Sequence, residues 1–321
     1  MIKEIQNNKN LYKELANKED IPLFFKVYWL DLITENSWNA YIIFDKSNTI
    51  IGIAAIPHQK KIFWNTHRAA IFQPYSGPYF FDVLQNTLEN QILFWEKFLL
   101  ENNSDWLDLT GFPDFYSSKL KEIKNNKFEY YPTFTIDLKQ KNEVLFSQIK
   151  SRRRNYIRNC EKTLTIQSTS NPDFNKYLAW LQHSYERKGV KMPYTATFLN
   201  GVFKKTQNAK NSLFLEAIDI EKTQSVAALW ILYDKRNAYQ MWSAFNPNAS
   251  PNGCMDLLIW EAWKILKDKG IILYDFEGSR DSGIARFFKN LGAKEYKYLH
   301  IHSPAKNILK WLKKIKDLKT I

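Results

Sequence analysis

Cysteine is nearly absent from this sequence. Cys160 and Cys254 are the only two in 321 residues and form no CxxC pair, which argues against a disulfide framework or a cysteine-built metal site and fits a reducing compartment. Long apolar runs are missing too, none approaching the roughly 18 residues that a membrane-spanning helix needs. Met1 to Asn10 is polar and charged, without the apolar stretch of a secretory signal, so a cytoplasmic location is expected. Glycine is scarce, and no GxGxxG or GxxxxGK(S/T) loop occurs, which removes dinucleotide-binding and P-loop readings. The five histidines, His58, His67, His183, His300 and His302, show no HExxH spacing, and no GxSxG elbow is present. His300 and His302 alternate on an expected strand and read as structural, so no metal site is expected.

What is abundant is positive charge and large rings. Lys+Arg exceed Asp+Glu by 46 to 33, for a net charge of +13. Such a chain attracts polyanions and anionic membrane surfaces at long range. Eleven Trp and 22 Phe within a 45% hydrophobic composition supply core for a folded protein, and the length fits two domains of about 150 residues each.

One order of elements occurs twice. In the first half a helix over Pro22–Ile33 precedes strands Ala40–Asp45 and Ile50–His58 and a third near Ala69–Phe72. After the Pro74–Pro78 loop, Leu84, Leu88, Ile92, Trp95 and Leu99 form a helical stripe that leads to the strand Trp106–Leu109. In the second half a helix carries Phe174, Leu178, Leu181 and Tyr185 and stops at Gly189. Strands Leu213–Ile220, Ser225–Tyr233 and Ala238–Ala244 follow, then the Asn246–Gly253 loop and a helix with Leu258, Ala262 and Ile265. The next strands match residue by residue, Trp106-Leu-Asp-Leu-Thr-Gly111 against Leu273-Tyr-Asp-Phe-Glu-Gly278. Helices covering a mixed sheet, twice over, define an α+β class.

Period two puts Asp275 and Glu277 on one face of their strand. Gly278 allows a tight turn, and Asp281 or Ser282 can cap a short helix with Ile284, Phe287 and Leu291 as its buried stripe and Lys289 near its end. A carboxylate can take a proton from an attacking amine, and a lysine can neutralise a developing oxyanion. Equally, Asp275 can cap backbone, Glu277 can pair with an arginine, and Lys289 can be solvated. In Ser151–Arg158, Arg154 and Arg158 share a helix face suited to phosphate or to water. The basic stretch Lys306–Lys319 has one apolar side, fit for a membrane surface or a neighbouring domain.

Tyr274-Asp-Phe-Glu-Gly-Ser279, Gly283-Ile284 and Phe287-Phe-Lys-Asn-Leu-Gly292 together resemble the C-terminal signature of the FemABX family. Arg154-Asn-Tyr-Ile-Arg158 followed by Lys162 resembles its central motif. The resemblance implies two tandem GNAT-like domains, 1–142 joined by a helix over 304–321, and 143–303. It implies transfer of an amino acid from aminoacyl-tRNA to an amine of a phosphate-bearing peptidoglycan precursor, with no tightly bound cofactor, in the cytoplasm or at the inner membrane surface. By the same resemblance Lys289 stabilises the reaction intermediate beside Phe288, and Arg154 lies near precursor phosphate. Arg158, Tyr75 and Ser279 complete the expected substrate contacts. Within Gln73–Pro78, which resembles the family's Gly-Pro segment, Ser76 stands where an arginine is expected. Neither post-strand loop has the QxxGxG pattern that cradles the pyrophosphate of CoA. Acyl-CoA transfer to an amino sugar of a surface glycan, and a non-catalytic basic module that binds RNA or membrane, are the alternatives.

Overall fold

A computed structural model describes the chain except residues 19, 62–63, 103, 113–126, 188, 280 and 304–321. The expected C-terminal helix over 304–321 lies outside the described residues. The chain divides into two compact units: Met1–Pro132 with the chain from Tyr296 onward, and Thr133–Glu295.

The first unit contains β1 (Ile2–Asn7), α1 (Lys9–Ala16), α2 (Val27–Thr34), β2 (Trp38–Asp45), β3 (Ile50–Pro57), β4 (Gln59–Lys61), β5 (Trp64–Arg68), β6 (Tyr79–Phe80), α3 (Leu88–Glu101) and β7 (Trp106–Thr110). Strand β8 (Lys127–Asp137) carries the chain into the second unit. There follow α4 (Asn142–Gln148), α5 (Ser151–Cys160), β9 (Leu164–Ser168), α6 (Phe174–Arg187), α7 (Ala196–Asn208), β10 (Ser212–Asp219), β11 (Gln224–Tyr233), β12 (Asn237–Phe245), α8 (Cys254–Asp268), β13 (Leu273–Asp275) and α9 (Ser282–Asn290). Strand β14 (Lys294–Ser303) returns the chain to the first unit.

In the first unit β1-β2-β3-β6 form one sheet, and β4-β5-β7-β14 run side by side in another. In the second unit the C-terminal half of β8 lies on β13, followed by β12, β11, β10 and β9. The repeat holds at the level of register. In each copy the strand before the loop pairs in parallel with the strand after the helix, and the two aspartates occupy equivalent positions: Asp108 opposite Arg68, Asp275 opposite Tyr239. Both units are completed by an antiparallel strand, β14 on β7 and β8 on β13. The boundary between units falls inside β8, ten residues before the expected seam at 142 (142 − 132).

Several expectations are corrected by physical detail. The third strand of the first copy is β5, at Trp64–Arg68, and Ala69–Phe72 is loop. Helix α3 begins only at Leu88, where Thr87 caps it by accepting from the Asn90 N–H. The cap rotates the inward stripe to Gln91, Phe94, Trp95 and Phe98, leaving Leu84 79% exposed. The buried amide nitrogen of Gln91 donates to Oδ1 of Asn86 at 2.9 Å and to the carbonyl of Phe112 at 3.1 Å. An apolar-only pattern could not register it. Helix α7, capped by Thr195 and burying Leu199, Val202 and Phe203, was not expected at all. In α9 the buried residue is Phe288, while Ile284 is 40% exposed.

One face of the second unit's sheet is covered by α8, whose Leu257, Leu258, Ala262, Trp263 and Leu266 join Leu215, Leu229, Ile231 and Tyr274 in a single core. Its start depends on Gly253, which has φ +97°. A Cβ there would stand 2.5 Å from Cβ of Tyr156 on α5. Backbone strain and overlap act together at this position, so Gly253→Ala is expected to cost about 1–3 kcal/mol. Urea unfolding should give a lower midpoint with an unchanged slope.

Candidate active site

Strand β12 pairs with β11 along its length, yet with β13 only at Asn237, Ala238 and Tyr239. Beyond Tyr239 the edge of β12 has no strand neighbour on that side among the described residues. Where the two strands part, β12 also bulges: Trp242 faces Trp230 and Gln240 faces Ile231, which leaves Met241 as the extra residue. A bulge re-aims side chains and backbone groups. Together, bulge and parting open a wedge between two parallel strands, one wall of which is a strand edge that can bind an extended ligand as a further strand would.

Asp275 ends β13 and is 3% exposed. Its Oδ1 accepts from the hydroxyl of Thr133 at 2.6 Å and from the backbone N–H of Glu277 at 2.8 Å. The second bond holds Glu277 in the left-handed region, φ +57°, followed by Gly278 at φ +75°. The chain therefore leaves the sheet at this point. Glu277 does not continue the strand, as the period-two reading expected, but sits in the turn. Its Oε1 is shut off from solvent and has no hydrogen-bond partner among the described residues. Burial first, and the neighbouring Asp275 second, push its carboxyl well above the ordinary glutamate value of 4.5. A carboxyl raised in this way, at the end of the wedge, is an acid–base candidate.

The other expected residues fall elsewhere. Residues opposite one another in a sheet share a face, so Asp275 shares one with Thr133, Thr135 and Tyr239. Phe134, Tyr274 and Phe276 lie on the other, beneath α9. There Phe288 is 5% exposed and stacks on Phe276 with ring centroids 4.2 Å apart, so it is core and offers little surface to substrate. Lys289 belongs to that same face. Its Nζ is 5.7 Å from the Phe134 ring and 2.6 Å from Oε2 of Glu295, with half of the side chain exposed. It does not pair with Asp275 or Glu277. Ser279 accepts from the Asp281 N–H at 3.0 Å in the turn before α9. Tyr75 is 1% exposed in the first unit, edge-on to Phe24, Phe112 and Tyr298, so it too is core rather than a substrate contact.

Of the arginines, Arg154 donates to the carbonyls of Ser147 and Ile149, closing the end of α4. Arg158 is exposed, its guanidinium 5.4 Å from the Phe146 ring. The arginine that sequence reasoning passed over is Arg153, which pairs at 3.2 Å with Asp256, a residue only 2% exposed in the first turn of α8. Burial raises the Asp256 carboxyl to about 6, against the pull of Arg153. The acid three residues after Gly253 was the available signal, since carboxylates favour a helix N-terminus.

The loop that leads into that N-terminus is largely bonded to itself. Pro247 and Pro251 have no N–H to offer. Those of Asn248, Ala249 and Ser250 bond to Asn246, and that of Cys254 bonds to Pro251. Tyr156 packs on Gly253.

Residues 146–298 match the family described as Acetyltransferase (GNAT) domain. The chain is also similar to the crystal structure of FemX, 11% identical, with TM-score 0.65 over 92% of this chain and 97% of that one. A conserved protein of unknown function from Bacteroides thetaiotaomicron VPI-5482 is 9% identical, with TM-score 0.50 over 94% and 99% of the two chains. No curated protein matches the sequence. The second unit is thus an acyltransferase domain of the GNAT type. The chain as a whole has the FemX-like fold, α+β with GNAT units in tandem. No helix among the described residues is long and apolar enough to cross a membrane.

Because the folded carboxyl of Glu277 titrates above the unfolded one, the native state binds the extra proton. Stability is lost as pH rises above 4.5 toward the folded value. Glu277→Gln, which cannot ionise, should melt higher than the parent at pH 8, with the gap closing toward pH 4. A gap that widens on acidification would contradict the buried, protonated state.

Proposed function

We propose that the chain forms an amide by transferring an aminoacyl group from aminoacyl-tRNA to an amine of a phosphate-bearing cell-envelope precursor. The reading is carried by the wedge between β12 and β13, with the buried carboxyl of Glu277 at its end. The donor lies against the open edge of β12. The amine attacks the ester carbonyl carbon, the new C–N bond forms, and its proton passes to Glu277 in the ionised form. The carbon–oxygen bond to the ribose then breaks, and the leaving oxygen takes up the proton.

Asp275 acts as a positioning residue, through the Glu277 N–H and the Thr133 hydroxyl. Lys289 supplies charge to the oxyanion by exchanging Glu295 for it. A half-exposed ion pair is worth about 0–1 kcal/mol, so the exchange costs little. Exposed Arg158 is the guanidinium of this pair left for precursor phosphate, because Arg154 is committed to backbone.

The choice of donor rests on the start of α8. A CoA pyrophosphate needs free N–H groups and positive potential there, where this chain has two prolines, internally bonded N–H groups and the carboxyl of Asp256. An ester donor held by its nucleic-acid portion makes no such demand, and the net charge of +13 suits it. The GNAT match itself favours acyl-CoA as donor, the second reading, whose acceptor is an amino sugar of a surface glycan.

The test incubates the protein with charged tRNA and, separately, with acyl-CoA and a precursor mixture, weighing the products. Product with charged tRNA alone supports the proposal, and thiol release with acyl-CoA alone overturns it. In the productive assay Glu277→Gln is expected to lower turnover by about 10²–10⁴-fold. Lys289→Met should lower it by about a hundredfold or more, with unchanged circular dichroism. Full activity in either variant removes that residue from the mechanism.

A further inference from the structure

The first unit carries a cluster that the transfer reaction does not use. His300 and His302 alternate on β14, so both project from one face of the strand, away from Leu299 and Ile301, which are fully buried in the core. Glu129 on β8 meets them there. One ligand atom from each of Glu129, His300 and His302 lies within 4.8 Å of those of the other two.

The hydrogen-bond pattern shows which ring nitrogen of His300 is left to bind. Nε2 of His300 is 2.9 Å from Oδ1 of Asp108, so it donates and carries the proton. That fixes the tautomer and leaves the lone pair on Nδ1, which is buried and has no hydrogen-bond partner among the described residues. Nε2 of His302 is buried as well and lies at ion-pair distance, 3.4 Å, from Oε1 of Glu129. Tyr131 stacks on His300 with centroids 4.3 Å apart and donates to Oε2 of Glu129 at 3.2 Å, restraining both ligands. A buried imidazole nitrogen without a hydrogen-bond partner, as at Nδ1 of His300, costs free energy unless something satisfies it.

We propose that Glu129, His300 and His302 bind a divalent transition-metal ion of the zinc class, with Asp108 as the positioning carboxylate behind His300. Two imidazoles and one carboxylate are a three-ligand set that leaves a coordination position open, and a carboxylate on the far ring nitrogen is the usual partner of a metal-bound histidine. Small side-chain rotations close the cluster to the ligand distances of about 2.0–2.2 Å that zinc requires. The repeat isolates the site to one copy. Asp275 corresponds to Asp108, but Thr135 and Thr133 stand in the second unit where His302 and His300 stand in the first. A cysteine-based search excludes metal here, since the ligands come from distant stretches of chain and include no thiol.

The experiment strips the full chain with a chelator and titrates it with zinc sulfate by calorimetry, alongside thermal melting. The parent is expected to bind one equivalent and to melt higher with zinc, as a native-state ligand requires. Glu129→Gln changes a half-exposed side chain and leaves the fold intact. It and His302→Ala should each weaken zinc binding at least tenfold and abolish the melting shift. Asp108→Asn should weaken binding about 10–100-fold while keeping one-to-one stoichiometry. A parent that takes up no zinc overturns the proposal, as does a Glu129→Gln protein that binds zinc as tightly as the parent.

Discussion

The hydrogen bond from the Glu277 N–H to Asp275 is the constraint on which the second unit's wedge depends. A strand that stayed in register would carry β13 on past Tyr239 and close the sheet. Asp275 prevents this by offering its carboxylate to the backbone two residues ahead, while the same oxygen takes the Thr133 hydroxyl and ties the turn to β8. Glu277 and Gly278 both adopt positive φ, the chain leaves the sheet, and the bulge at Met241 turns the opposite wall. The geometry that opens the wedge also buries the Glu277 carboxyl.

The first unit uses the same device for a different end. Asp108 stands at the equivalent register, but the neighbouring strand supplies His300 instead of a threonine, and Arg68 stands where the second copy has Tyr239. Thr110 replaces Glu277 and donates to the carbonyl of Pro74, so no buried carboxyl ends the first copy's parallel pair. Glu122, at the position matching Lys289, lies outside the described residues. The same arrangement of carboxylate and strand thus ends beside a buried carboxyl in one copy and an imidazole cluster in the other.

Much of this was legible before the coordinates. The match of Trp106–Gly111 to Leu273–Gly278 placed both aspartates at their observed register, because apolar alternation and a turn glycine are local signals. The short helix after Asp281 and the hairpin of β10 and β11 were legible for the same reason. What could not be read depends on contacts between distant residues. Nothing local to Glu277 announces a left-handed conformation, which costs a non-glycine residue energy and is held by Asp275. Gln91 and Asp256 are polar residues on buried helix faces, so hydropathy assigned them outward. Arg154 looked like a phosphate ligand because its spacing to Arg158 was right, yet the carbonyls at the end of α4 claim it. The sequence-level trio of Asp275, Glu277 and Lys289 was drawn from one motif, and the sheet places its lysine on the opposite face from its aspartate.

In the proposed reaction the Glu277 carboxyl, raised by burial, serves proton transfer at the end of the wedge. The most direct measurement is the pH dependence of kcat/KM with the productive donor, in the parent and in Glu277→Gln. The parent is expected to show a rising limb whose midpoint lies well above 4.5, and the variant a residual rate from which that limb has vanished. A parent profile with no such limb, or a limb that survives unchanged in the variant, would contradict it.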